Sequence, residues 1–294
     1  ILRGIYSPAF NSIRPFLISR QAENNASMWT TSIWQFGAIA APLCAGLLLS
    51  HMGLVATLGV IFMLSCIGSL AVWQLSPRSF PISIHGQVLQ SLKHTFRFML
   101  QQRVLFWSML LDLVTALFCS VIVLLPIVAH DVLHLGAEGL SLLRAAPAIG
   151  TALMMGVLLH FSPSQKAWRN MLLASIGIAV TTCVFALSTS LWLSIALLIL
   201  IGALDSISMV IRQSLLQQLP PQDLHGRVAA LNGIWVTTGN HLGALNSSMA
   251  SRYFSITPAI LIGGSLCLSI CLFSFFRNRD LLKTPSSYEK YKYL

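Results

Sequence analysis

Two carboxylates stand inside long apolar runs: Asp112 in the run 104–130 and Asp205 in the run 190–216. A carboxylate at membrane depth is costly and ordinarily faces a cavity, a charged partner or a proton path. Asp112 shares a helical stripe with Ser108, Thr115 and Cys119, and Asp205 shares one with Ser208 and Arg212. Each carboxylate is expected roughly 12 Å from the same end of two oppositely directed helices. The two could therefore face one aqueous cavity at similar depth. The plainer reading makes each a buried polar anchor between helices. Arg212 either serves the same stripe or snorkels to the nearby surface. Its direct contact with Asp205 is doubtful, since seven residues set them about 10 Å apart along a helix. Arg144, just before Pro147, and Arg3, before Pro8, each either bind an anionic group or snorkel. Thr237, Asn240, His241, Ala244 and Ser248 form one polar face, on which His241 either shuttles protons or sits satisfied by a hydrogen bond. Asp112, Asp205, Arg212, Arg144, Arg3, Asn240 and His241 are thus the candidate substrate or proton pathway.

Bond-breaking chemistry finds little support. No His-Glu-x-x-His, Gly-rich phosphate loop or Gly-x-Ser-x-Gly is present, and no nucleophile pairs with a base by spacing. No catalytic residue is assigned, and an intramembrane enzyme is a remote alternative. His130 and His134 lie one turn apart with Asp131 between them, but no third ligand is visible. The six cysteines fall inside apolar runs and read as packing residues. Neither a metal nor a cofactor is expected.

These side chains need elements to hold them, and composition names the class. Of 294 residues, 55% are hydrophobic and 9% charged. A soluble domain carries about 25% charged residues, so a water-soluble enzyme is close to excluded. Mean hydropathy is +0.77. The net charge of +10 does not indicate nucleic acid, because the basic residues sit between apolar stretches instead of in one patch. The reading is an all-α polytopic membrane protein embedded in a lipid bilayer. Apolar segments lie at about 27–50, 54–75, 104–130, 138–160, 168–188, 190–216, 228–251 and 256–276. Residues 1–18 read as the later part of a further span.

Charge bias orients these spans. If the partial span ends in the cytoplasm, fourteen of the 18 basic residues fall inside and Arg252 alone falls outside. That places the carboxyl terminus in the cytoplasm. The organisation expected is 1–75 as one partial and two full spans, 76–103 as a linker, 104–276 as six spans and 277–294 as a tail. The six spans divide into two consecutive triplets, 104–188 and 190–276. Within the linker, Val88, Leu89, Leu92, Phe96, Met99 and Leu100 fall on one helical face, and Lys93, His94, Arg97 and Gln101 on the other. Such a helix either lies on the anionic inner leaflet or covers the ends of neighbouring spans.

Several motifs resemble major facilitator superfamily exporters of the enterobactin-exporter-like branch. They are Asp112-Leu113-Val114, Leu124-Leu125-Pro126-Ile127, Leu143-Arg144-Ala145-Ala146-Pro147, Gly202-Ala203-Leu204-Asp205, Val210-Ile211-Arg212-Gln213 and Gly226-Arg227-Val228. Arg3, Pro8-Ala9, Pro15, Asn25-Ala26 and Trp34-Gln35 extend the resemblance toward the start. It departs at Ala41-Pro42-Leu43-Cys44-Ala45-Gly46, where such exporters commonly show Gly-Pro-x-x-Gly-Gly. The resemblance implies a twelve-helix, two-lobed carrier working by alternating access. This chain would then lack about the first three and a half helices, and the missing N-terminal lobe would be required for activity. By resemblance, the truncated helix and those carrying Asp112 and Asp205 line the central cavity. The function implied is proton-coupled efflux of a small amphipathic compound, such as a siderophore or drug, across the bacterial inner membrane. The alternative is a non-transporting membrane protein or a decayed gene product.

Overall fold

The computed structural model describes residues 23–74, 88–158, 160, 167–220 and 224–280. Arg3, the partial span before residue 18 and most of the 277–294 tail lie outside the described residues. No strand occurs among those described, and the chain divides into two compact units, 1–86 and 87–294.

In the first unit, α1 runs Glu23–Trp73 and is broken at Gly53, where φ is 75° and ψ is 176°. That backbone region is essentially open to glycine alone. The break falls between the expected spans 27–50 and 54–75. Just after the break, the Thr57 hydroxyl donates to the Gly53 carbonyl oxygen at 2.8 Å.

The second unit begins with α2, Val88–Gln101. Then come α3, Arg103–Phe118; α4, Ala137–Leu158; α5, Ala167–Ala186; α6, Leu191–Gln218; α7, His225–Tyr253; and α8, Ile256–Arg277. Short helical turns, ending in a π turn at Val128–Val132, extend α3. Six helices among the described residues are long and apolar enough to cross a membrane. Two differences from the eight expected spans explain this number. The first two expected spans form the single broken helix α1. The expected span 228–251 forms α7, which is long enough but too polar to be counted, because it carries Asn232, Thr237, Thr238, Asn240, His241, Asn246, Ser247 and Ser248.

Packing within the unit follows the two triplets α3–α5 and α6–α8. Helix α4 packs along α6 and α7 along α3, while α5 packs on α6 and α8 on α3. Exchanging the triplets maps each of these pairs onto another. Three helices per repeat reverse direction between copies, so this is an inverted repeat. Small residues permit the closest crossings. A Cβ at Gly243 would overlap the Ala116 carbonyl oxygen where α7 meets α3. Its counterparts in the α4–α6 crossing are Gly202 against Pro147 and Gly150 against Ile199.

Two apolar layers fill the interior. One gathers Leu105, Met109, Trp168, Met171, Ile211, Leu215 and Val228, and the other Leu124, Leu125, Leu143, Phe185, Leu198 and Ile260. Arg103, Arg169, Arg227, Arg277 and Arg279 are exposed at the first end, and Arg252 is exposed at the opposite one. Helix α2 packs against α3 and α7 at the basic end, with Thr95 and Met99 buried.

Candidate functional site

Helix α3 brings Ser108, Asp112 and Thr115 into the interior on one stripe. Both hydroxyls are spent on their own backbone. Ser108 donates to the Leu105 carbonyl at 2.7 Å and Thr115 to the Asp112 carbonyl at 2.9 Å. The Asp112 carboxylate is left for a partner from another helix. That partner is Arg212 of α6, whose Nη1 forms an ion pair with Asp112 Oδ2. Arg212 is 6% exposed and Asp112 9%. A charge pair removed from water to this degree holds only if both members stay, since either alone is an uncompensated buried ion. The Arg212 Nε finds no hydrogen-bond partner among the described residues, and neither does Oδ1 of buried Asn232 on α7.

Of the two roles open to Arg212, it does not snorkel; it turns inward to Asp112. Asp112 and Asp205 differ in their surroundings, Asp112 enclosed and Asp205 exposed. The cause is cover. On the stripe of α6, Ser208 and Arg212 are buried, and only the Asp205 end is open.

Helix α7 positions the other polar candidates. One of its sides lies on α3, fixed by Trp235 Nε1 donating to the Met109 carbonyl at 3.0 Å and Asn246 Nδ2 to the Leu117 carbonyl at 3.1 Å. Residue numbers rise together along both helices, so α3 and α7 run parallel. The remaining circumference divides in two. Thr237, Asn240, His241 and Ser248 form an exposed polar sector. Ile234, Leu242, Leu245 and Met249 form an exposed sector that is apolar but for Thr238. Arg144 is exposed on α4, one turn before Pro147. The structure therefore joins Asp112 to Arg212 and leaves Asp205, Arg144, Asn240 and His241 on exposed surfaces of this unit.

Two features were missed in the sequence. The Asp112–Arg212 pair was signalled by opposite charges a comparable distance from the same end of antiparallel helices, nine residues in from Arg103 and six from Gln218. A stripe drawn along one helix at a time hid it. The second is the shared core position of Cys119, Cys267 and Cys271, which all lie buried in one apolar layer as free thiols. No spacing rule joins Cys119 to the other two. No group of three or more His, Cys, Asp or Glu suited to a metal occurs among the described residues.

An α-helical unit of two inverted triplets built largely from membrane-length helices describes a multi-pass membrane protein. Comparison with known proteins agrees. The chain is 29% identical over 236 residues to the enterobactin exporter EntS of Citrobacter koseri, covering 78% of this chain and 55% of that protein. It is 28% identical over 286 residues to the enterobactin exporter EntS of Escherichia coli K12, covering 92% and 67%. The chain thus spans between about half and two thirds of the length of these relatives. The family model described as Major Facilitator Superfamily matches residues 1–244, most of the sequence. Because that match covers well over half of the sequence, the chain belongs to the Major Facilitator Superfamily.

Proposed function

We propose that this chain forms part of a secondary transporter that exports a small amphipathic compound in exchange for protons. The observation that carries the reading is the exposed polar sector of α7 together with exposed Asp205 on α6. Polar groups at membrane depth are tolerated where they line a water-filled cavity or meet protein, and not where they meet lipid. The apolar sector of the same helix is the part suited to lipid.

In this reading, the Asp112–Arg212 pair holds α3 to α6. Asp205 and His241 exchange protons or contact substrate from the cavity wall, and Asn240, Arg144 and Arg3 supply further polar contacts. The six helices of 104–276 act as one lobe, 76–103 links it to the helices of 1–75, and 277–294 is a tail. Activity requires a second lobe against which the first rocks. The names of the relatives favour a siderophore as substrate. The basic end lies in the cytoplasm of a bacterial inner-membrane protein, which puts the carboxyl terminus inside. No bond-breaking chemistry is assigned to any residue.

Cysteine accessibility in membrane vesicles tests the cavity. Thr237→Cys, Asn240→Cys and Ser248→Cys should react with a hydrophilic thiol reagent, read against the parent chain. Leu245→Cys and Met249→Cys should not. Equal labelling of the two sectors, or none on the polar one, removes the basis for a cavity.

A further inference from the structure

Helix α2 presents three rows, and the protein covers one of them. Thr95 and Met99 are 0% and 4% exposed against the bundle. Phe96 and Leu100, one turn apart, are 41% and 45% exposed. Arg97 and Gln101 form the next exposed row. The sequence left two roles open for this helix, covering span ends or lying on a leaflet. Its three rows permit both at once.

The neighbouring corner adds charge. Helix α3 begins directly after α2 with exposed Arg103, whose Nη2 donates to Asn278 Oδ1 at 3.4 Å. Asn278 is fully buried and is itself fixed by its Nδ2 donating to the Ser274 carbonyl at 3.1 Å. Arg277 and Arg279 flank Asn278 and are exposed. The Arg279 guanidinium lies 4.8 Å from the ring centre of Phe276, which is 60% exposed. Arg103 thus reaches the buried asparagine from one helix end, and Arg277 and Arg279 flank it in sequence at the end of another, with Asp280 the next residue.

We propose that this corner binds an anionic phospholipid of the surrounding bilayer. Arg103, Arg277 and Arg279 take its phosphate and headgroup, Arg97 adds charge from α2, and Phe96, Leu100 and Phe276 enter the acyl layer. Charge complementarity and the apolar row select this occupant together. A guanidinium fork matches phosphate oxygens, and an apolar row beside a basic row seats a helix at the headgroup boundary. A free phosphate would use the arginines and leave the three apolar side chains in water. Asn278 holds Arg103 in place before the lipid arrives.

The test uses the full chain purified in detergent and titrated with phosphatidylglycerol, phosphatidylcholine or inorganic phosphate. Phosphatidylglycerol should raise Tm, and the other two should not. Arg279→Gln and Arg97→Gln should each weaken the phosphatidylglycerol effect about five-fold, the contribution of one basic residue near an anionic surface. Arg103→Gln also removes the bond to Asn278, so the two variants without it keep the test independent of folding. Benzoylphenylalanine at position 96 or 100, photolysed in mixed vesicles, should yield lipid adducts enriched in phosphatidylglycerol. Equal protection by phosphatidylcholine or inorganic phosphate overturns the proposal. So do adducts at both positions that are wholly intramolecular.

Discussion

Arg212 of α6 pairs with Asp112 of α3, and each is buried to more than nine-tenths. The two helices open the two triplets, so the ion pair is a link between the repeats, beside the α7–α3 hydrogen bonds of Trp235 and Asn246 and the Thr151 hydroxyl donating to the Gly202 carbonyl. The pair therefore fixes the spacing of α3 and α6 at the basic end, while Asp205, two turns further along α6, stays open.

Removing one member of this pair should cost far more than removing both. Arg212→Met leaves a buried carboxylate without a partner, and Asp112→Leu leaves a buried guanidinium. Each single variant should lose about 3–5 kcal/mol of stability, and the double variant should recover most of that loss. Thermal unfolding of the purified chain in one detergent, run as a double-mutant cycle, gives the coupling. Additive losses would show that the two charges do not support each other in the folded chain.

The crossing of α7 and α3 depends on absent side chains. A Cβ at Gly243 would meet the Ala116 carbonyl oxygen, which cannot move without disturbing α3. Gly243→Val should destabilise by about 1–3 kcal/mol or more through overpacking. On the same helix, a Cβ at Gly233 meets nothing within 4 Å. Gly233→Ala should be neutral or stabilising by up to about 1 kcal/mol, the ordinary helix preference. Size-exclusion profiles and melting curves of the two variants separate the outcomes, and equal losses would place the crossing elsewhere.

Much of the architecture was legible because membrane-length apolar runs announce themselves and breaks between them carry charge or glycine. The boundaries of α4, α5, α6 and α8 follow those runs closely. The division into two triplets was legible too, but not how they interlock, since α3 pairs with α7 and not with its neighbour α4. Asp112, Asp205 and Arg212 were visible as polar residues in apolar surroundings. Which of them met was not, because periodicity along one helix carries no information about the angle of the next. The polar face of α7 was readable from Thr237 to Ser248, and its weak hydropathy was the cue to an exposed sector at membrane depth.

Gly53 should tolerate no side chain. Its φ of 75° with ψ of 176° lies where other residues are strained whatever the space around them, and nothing within 4 Å would block a Cβ. Gly53→Ala should therefore cost about 1–3 kcal/mol from backbone strain alone. Gly59→Ala and Gly68→Ala, in regular helix with equally open surroundings, should not be destabilising. Melting temperatures of the three variants decide it, and a neutral Gly53→Ala would mean that the break straightens at no cost.

Asp205 should be required for export and dispensable for folding. The carboxylate is exposed on α6, makes no ion pair among the described residues and lies beyond the buried end of its stripe. Asp205→Asn keeps the shape and removes a charge that has no ion-pair partner among the described residues, so it should not lower stability. Transport should respond differently. A carboxylate on a cavity wall can take up and release a proton or meet a substrate donor, and an amide cannot do the first at all. In the transport reading proposed above, proton-gradient-driven siderophore movement by the complete carrier in inverted membrane vesicles should be mostly lost in Asp205→Asn and partly kept in Asp205→Glu. Asp112→Asn should behave in the opposite order, losing melting temperature together with any transport, because its carboxylate is already committed to Arg212. Unchanged movement in Asp205→Asn, with normal amounts of protein in the membrane, would reduce Asp205 to a polar residue without a role in export.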